Sequence, residues 1–81
     1  MEEIKNELTE IFKRVFRKEN IELKDELNAN DIDTWTSMTN IVLLNEIEKK
    51  YELEFHFLEV MDLNNVGELI KLIDNKLNRN S

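Results

Sequence analysis

The sequence contains no cysteine, no proline, a single glycine and a single histidine. Without cysteine there is no disulfide scaffold and no thiolate metal or redox site, and one histidine cannot supply the nitrogen cluster that zinc requires. Packing has to hold the fold together. Tight turns between short strands are built on glycine and proline, whereas helices tolerate few of either, so their scarcity points to an all-helical domain. A chain of 81 residues encloses one small core, which excludes a multidomain enzyme. No apolar run approaches the ~18 residues of a membrane span, and the basic-then-apolar start of a signal peptide is missing, so a cytoplasmic setting without membrane insertion is expected. Eleven basic residues against eighteen acidic ones leave a net charge of −7. That charge repels phosphate backbones, which argues against nucleic acid and for partners that present Lys and Arg.

What the sequence does have is helical periodicity. Ile4, Leu8, Ile11, Phe12, Val15 and Phe16 fall on one stripe, predicting a first helix from Glu2 to Lys18, with its acids ahead of its bases as the helix dipole favours. From Glu19 to Thr36 the periodicity fades, and isolated apolar residues (Ile21, Leu23, Leu27, Ile32, Trp35) suggest a long loop pinned across the end of the bundle. Ser37 to Tyr51 returns to helix, with Thr36 as its N-cap and Leu43, Leu44, Ile47 and Tyr51 facing inward. Glu52 to Phe57 alternates like a strand, but a lone strand leaves its backbone unpaired, so an extended connector is expected. A short helix over Phe57 to Asp62 follows, and Asn65-Val-Gly-Glu68 reads as a capping box opening a last helix striped by Val66, Leu69, Ile70, Ile73 and Leu77. The expectation is an all-α bundle of three main helices plus one short one, a single domain over 1–77 with a fraying tail at 78–81, folding as a monomer.

Catalytic candidates are few. His56 sits in the connector without a serine elbow or glycine-rich oxyanion loop, and reads as a packing or surface residue. The acid-rich stretch Asn28 to Thr34 invites a calcium loop, but an EF-hand needs a glycine sixth and a bidentate glutamate twelfth, and the twelfth position falls on Thr39 or Val42. A small hydrolase with Ser37 as nucleophile lacks a base. The start of the second helix is more informative. Met38 and Val42 lie on its wet face, at i and i+4 beside Ser37, and form either an apolar docking patch rimmed by charge or ordinary core under the short helix. A hydroxyl at Ser37 stands by the free N–H groups of a helix start, where a phosphodiester is stabilised; the plain alternative is a first-turn serine with no further role.

The segment Trp35-Thr-Ser-Met-Thr-Asn-Ile-Val-Leu-Leu-Asn-Glu-Ile-Glu-Lys-Lys-Tyr51, followed by Leu53 and Phe55, resembles the acyl carrier protein family, whose second helix opens with Asp-Ser-Leu and ends in Glu-Xaa-Xaa-Phe. The similarity in helix order and spacing extends over nearly the whole chain, and the Trp before the motif and the Thr two residues after its serine are most similar to the D-alanyl carrier and related free-standing carriers. The resemblance implies an acyl-carrier-like bundle that is no enzyme. It implies 4′-phosphopantetheine on Ser37, with Met38 on the following leucine and Glu48 and Tyr51 on the closing acid and aromatic. The arm would hold an acyl or aminoacyl group as a thioester. Implied partners are a phosphopantetheinyl transferase, an acyl- or aminoacyl-activating ligase, and downstream transferases or synthases, docking around Asp33, Thr36, Met38, Val42, Asn45 and Glu46. Thr36 departs from the family's acid, which transferases recognise, and leaves Asp33 as the nearest electrostatic substitute. Val42 departs from the acid of many fatty-acid carriers, and with Lys49 and Lys50 it makes the docking surface less acidic, implying other partners. The alternative is an unmodified carrier-like adaptor that only binds proteins.

Overall fold

The computed structural model describes residues 2–79 and places four α-helices in the order α1 (Glu2–Phe16), α2 (Ser37–Tyr51), α3 (Phe57–Met61) and α4 (Val66–Arg79). No strand occurs among the described residues, and 53–56 is an extended connector as the unpaired-strand argument requires. The stripes of α1, α2 and α4 meet in one core in which Leu8, Phe12, Phe16, Leu43, Ile47, Val66 and Ile73 are fully buried. No charged or polar side chain is buried among the described residues, so cohesion comes from apolar contact alone.

Helix α1 stops two residues before the predicted Lys18. Arg17 takes a left-handed conformation (φ 57°), and the Lys18 N–H closes back on the Lys13 carbonyl at 3.1 Å. α2 ends in the same way. Glu52 has φ 54°, the N–H of buried Leu53 reaches the Glu48 carbonyl at 3.2 Å, and both ends have the Schellman hydrogen bond that satisfies orphan carbonyls. Such positions normally hold glycine; here a protein with one glycine uses Arg and Glu, at a conformational cost of about 1 kcal/mol or more each.

The long loop is pinned as expected. Leu23 and Ile32 are buried in the core, and Ile21, Leu27 and Trp35 pack against it. Within the loop lies one 3-10 turn, Ala29–Asp31, which the fading periodicity did not announce. Asn28 accepts from the Asn30 N–H at 2.8 Å and donates its own N–H to Asp31 at 3.0 Å, so Asp31 serves as a turn cap. The loop also caps α4. The carbonyls of Leu27 and Asp25 accept from the N–H groups of Val66 and Gly67, both at 2.9 Å. That approach needs the single glycine, because a Cβ on Gly67 would come within 3.0 Å of the Asp25 Cβ and 3.2 Å of its carbonyl oxygen. The box expected at Asn65 is half present: Asn65 accepts from the Glu68 N–H at 2.9 Å, but Glu68 reaches the N–H of Asn64 instead of Asn65. Helix α4 runs through Arg79, so the boundary drawn at 77 falls two residues inside it; the rest of the proposed tail, 80–81, lies outside the described residues.

Candidate functional site at the start of helix α2

Residues 34–36 are held from three sides, which fixes where α2 begins. The Thr34 hydroxyl donates to the Phe16 carbonyl at 2.8 Å. Trp35 lies against Phe12 and Phe16 with ring centroids 5.4 and 5.1 Å away, and its indole N–H donates to Asn40 Oδ1 at 3.0 Å. Thr36 caps the helix: its hydroxyl accepts from the Thr39 N–H at 3.2 Å, and its own N–H donates to the Thr39 hydroxyl at 2.7 Å. Thr36 thus does the capping work an aspartate could do there, without its charge.

Ser37 is the first residue of α2 and is exposed. Its Oγ has no hydrogen-bond partner among the described residues. With Thr39 capped and the Asn40 N–H bonded to the Thr36 carbonyl at 2.8 Å, the N–H groups of Ser37 and Met38 are the orphan donors of the helix start. Ser37 and Thr36 stand on the rim of a cleft of about 460 Å³ that runs between α2, the loop and the α3–α4 connection. Leu43, Leu44, Val60, Leu63 and Leu69 form its apolar part, and no charged residue lines it.

Of the residues expected to dock partners, Met38 and Val42 remain 78% and 49% exposed. Helix α3 does not fold over them; its own Phe57, Leu58 and Met61 are exposed too, as is Ile41 of α2, which the wet-face pattern did not single out. Ile41, adjacent to Val42, therefore adds to the two exposed apolar residues that periodicity picked out on α2. Asp33, Thr36, Val42 and Glu46 share a shallow depression beside Arg14, while Asn45 lines a separate hollow with Glu48 and Lys49. The acids around the face are not free. Asp33 meets Lys18 at 2.8 Å, Glu46 meets Arg14 at 2.7 Å, and Glu59 meets Lys76 at 2.8 Å. Lys18 holds the Asp33 carboxyl below the usual carboxylate range, chiefly by hydrogen bond, and Lys76 does the same for Glu59, helped by the His56 N–H.

The closing residues of the motif are structural. Glu48 accepts from the Phe55 N–H at 2.8 Å and so fixes the connector, and the Tyr51 hydroxyl donates to Glu7 at 2.7 Å, tying α2 to α1. Burial, then the hydrogen bond and charge of Glu7, push the Tyr51 hydroxyl well above its usual range. His56 is exposed at the head of α3. No cluster of potential metal ligands exists among the described residues, and no helix is long and apolar enough to cross a membrane.

No family model and no curated protein matches the chain. Among solved structures it is similar to the holo acyl carrier protein of Geobacter metallireducens, determined in solution by NMR. The two are 41% identical with a TM-score of 0.88, over 93% of this chain and 86% of that one. The chain belongs to the acyl carrier protein family. It is accordingly a carrier and not an enzyme.

Proposed function

We propose that Ser37 carries 4′-phosphopantetheine and that the protein presents an acyl group, held as a thioester on that arm, to successive enzymes. The observation that carries this reading is the position of Ser37: exposed, unpartnered, first in α2, within a chain 41% identical to a carrier solved in its holo form. The residues present suit a phosphodiester there. The N–H groups of Ser37 and Met38 and the positive end of the α2 dipole face that position. The one nearby carboxylate noted from sequence, Asp33, is offset by Lys18. When bound, the arm supplies the thiol that a protein without cysteine lacks.

Attachment forms a bond from Ser37 Oγ to the phosphorus of coenzyme A, breaks the phosphoanhydride, and releases adenosine 3′,5′-bisphosphate. The hydroxyl proton passes to a base of the phosphopantetheinyl transferase, since Ser37 has no partner of its own. An acyl- or aminoacyl-activating ligase and downstream transferases or synthases then act on the arm. These partners dock on the apolar face of Met38, Ile41 and Val42, with Phe57, Leu58 and Met61 of α3 as further exposed apolar surface. Because Asp33, Glu46 and Glu59 are already paired within the molecule, that docking depends less on partner cations than the overall charge of −7 would suggest.

Intact mass after incubation with coenzyme A and a broad-specificity transferase tests the reading. A gain of one phosphopantetheine, absent in Ser37→Ala, supports it. No gain with several transferases favours the unmodified adaptor, a reading to which the uncharged Thr36 and the lysine-bound Asp33 would then give the reason.

A further inference from the structure

The sequence holds three methionines and no cysteine, so without an arm all of the chain's sulfur is thioether. Met38 and Met61, the methionines among the described residues, are 78% and 59% exposed. Neither belongs to the core or to the half-buried residues packed on it. Methionine is ordinarily a core residue, and its oxidation ordinarily disrupts packing; here there is no packing to disrupt. Met38 also follows Ser37 directly in the first turn of α2. Adjacent Cα atoms are about 3.8 Å apart, so an enzyme that brings its active site to the Ser37 hydroxyl has to cover the surroundings of Met38 as well. Of the exposed apolar residues on α2, Ile41 and Val42 are aliphatic and Met38 alone has a sulfur. Its polarity is therefore the one that a two-electron oxidation can change.

We propose that Met38 is a reversible oxidation site, at which a peroxide weakens the docking of enzymes on Ser37 while leaving the fold intact. The thioether sulfur gives an electron pair to one peroxide oxygen. The S–O bond forms as the O–O bond breaks, the second oxygen leaves as water, and Met38 ends two electrons more oxidised, as the sulfoxide. Methionine sulfoxide reductases reverse the step: a pair of thiols supplies two electrons and becomes a disulfide, and the oxygen leaves as water. The sulfoxide is polar but uncharged. Against a partner's apolar surface it has to be desolvated without a hydrogen bond, whereas the first turn of α2, with N–H donors to spare, tolerates an added acceptor. The inference rests on Ser37 being the attachment point. A free arm would add a thiol that peroxide also attacks, so oxidation is carried out on the protein before the arm is attached.

The unmodified protein is treated with hydrogen peroxide and freed of it, and fragmentation in a mass spectrometer assigns each added oxygen to Met1, Met38 or Met61. Loading by a broad-specificity phosphopantetheinyl transferase with coenzyme A is then followed by intact mass at several carrier concentrations. Oxygen on Met38 should raise KM for the carrier by about tenfold, the scale of burying one methionine side chain, with kcat unchanged. The melting temperature should stay that of the untreated protein. Methionine sulfoxide reductases for both sulfoxide epimers should restore the original KM. Met38→Gln, polar and of similar length, should show the raised KM without peroxide. Met38→Leu should keep its own KM through the treatment, and Met61→Leu should respond as the parent does. An unchanged KM in protein oxidised at Met38, a fall in melting temperature on oxidation, or an equal response in Met38→Leu would overturn the proposal. If the untreated protein gains no phosphopantetheine, the attachment reading fails and this proposal falls with it, an outcome visible before any peroxide is added.

Discussion

Replacing Thr36 separates its two contributions, to the stability of α2 and to the charge beside Ser37. In Thr36→Ala the hydroxyl that accepts from the Thr39 N–H at 3.2 Å is lost, and that N–H turns to water because the position is exposed. Loss of a threonine N-cap costs about 1 kcal/mol. For a domain of this size that lowers the melting temperature by about 4–8 °C. Thr36→Asp retains an acceptor at the cap and adds a negative charge at the helix start, a favourable interaction of about 0.3–1 kcal/mol at low salt. Its melting temperature should therefore equal or slightly exceed that of the parent. Far-UV circular dichroism on heating measures this, and the rate of mass gain with a transferase measures the second contribution. The aspartate should speed modification, with the gain shrinking as salt screens the charge, while the alanine should leave the rate near that of the parent. Melting of Thr36→Ala at the parent temperature would refute the capping argument. An unchanged rate in Thr36→Asp would show that the family's acid is not what this protein is missing.

Three further outcomes follow from the geometry. Glu52→Gly should stabilise the protein by about 0.5–1 kcal/mol, read from urea unfolding, because φ 54° strains any residue with a Cβ; destabilisation would mean that the glutamate makes a contact outweighing the strain. Met38→Glu should leave the melting curve unchanged, since the side chain is 78% exposed, yet weaken partner enzymes in a pull-down. Unfolding would show that Met38 belongs to the core. Tyr51 carries a sign-definite pH effect: its hydroxyl ionises near 10.0 when unfolded and higher when folded, so above about pH 10 the unfolded state loses its proton first and stability falls with rising pH. Tyr51→Phe should melt lower at neutral pH by about the worth of one hydrogen bond, ~1 kcal/mol, and should show a shallower alkaline decline.

The helices were legible because their apolar stripes had to be buried together: Ile4, Leu8, Ile11, Phe12 and Phe16 share one core with Leu43, Ile47, Val66 and Ile73. The exposed face at Met38 and Val42 was legible for the same reason, as residues left off the stripe. The end of α1 was not, because Arg17 occupies a position whose usual signal is glycine. The 3-10 turn and the cleft were hidden for a different reason. Asn28, Asn40 and Asn65 are far apart in sequence, and each looks like an ordinary cap or surface residue until the fold brings them to the lining of one cleft. The internal pairing of Asp33, Glu46 and Glu59 was likewise beyond reach, since Lys18, Arg14 and Lys76 come from other parts of the chain. Asp33 and Glu46 were accordingly expected as charges offered to partners, whereas both are held by cations of the protein itself.

The proposed function requires that one particular hydroxyl, among the neighbouring hydroxyls of Thr34, Thr36, Ser37 and Thr39, accept the arm. Fragmentation of the modified intact protein in a mass spectrometer tests it directly. Fragments divided between Thr36 and Ser37 and between Ser37 and Met38 should place the whole added mass on Ser37. Added mass on Thr36 or Thr39, or modification that persists in Ser37→Ala, would contradict it.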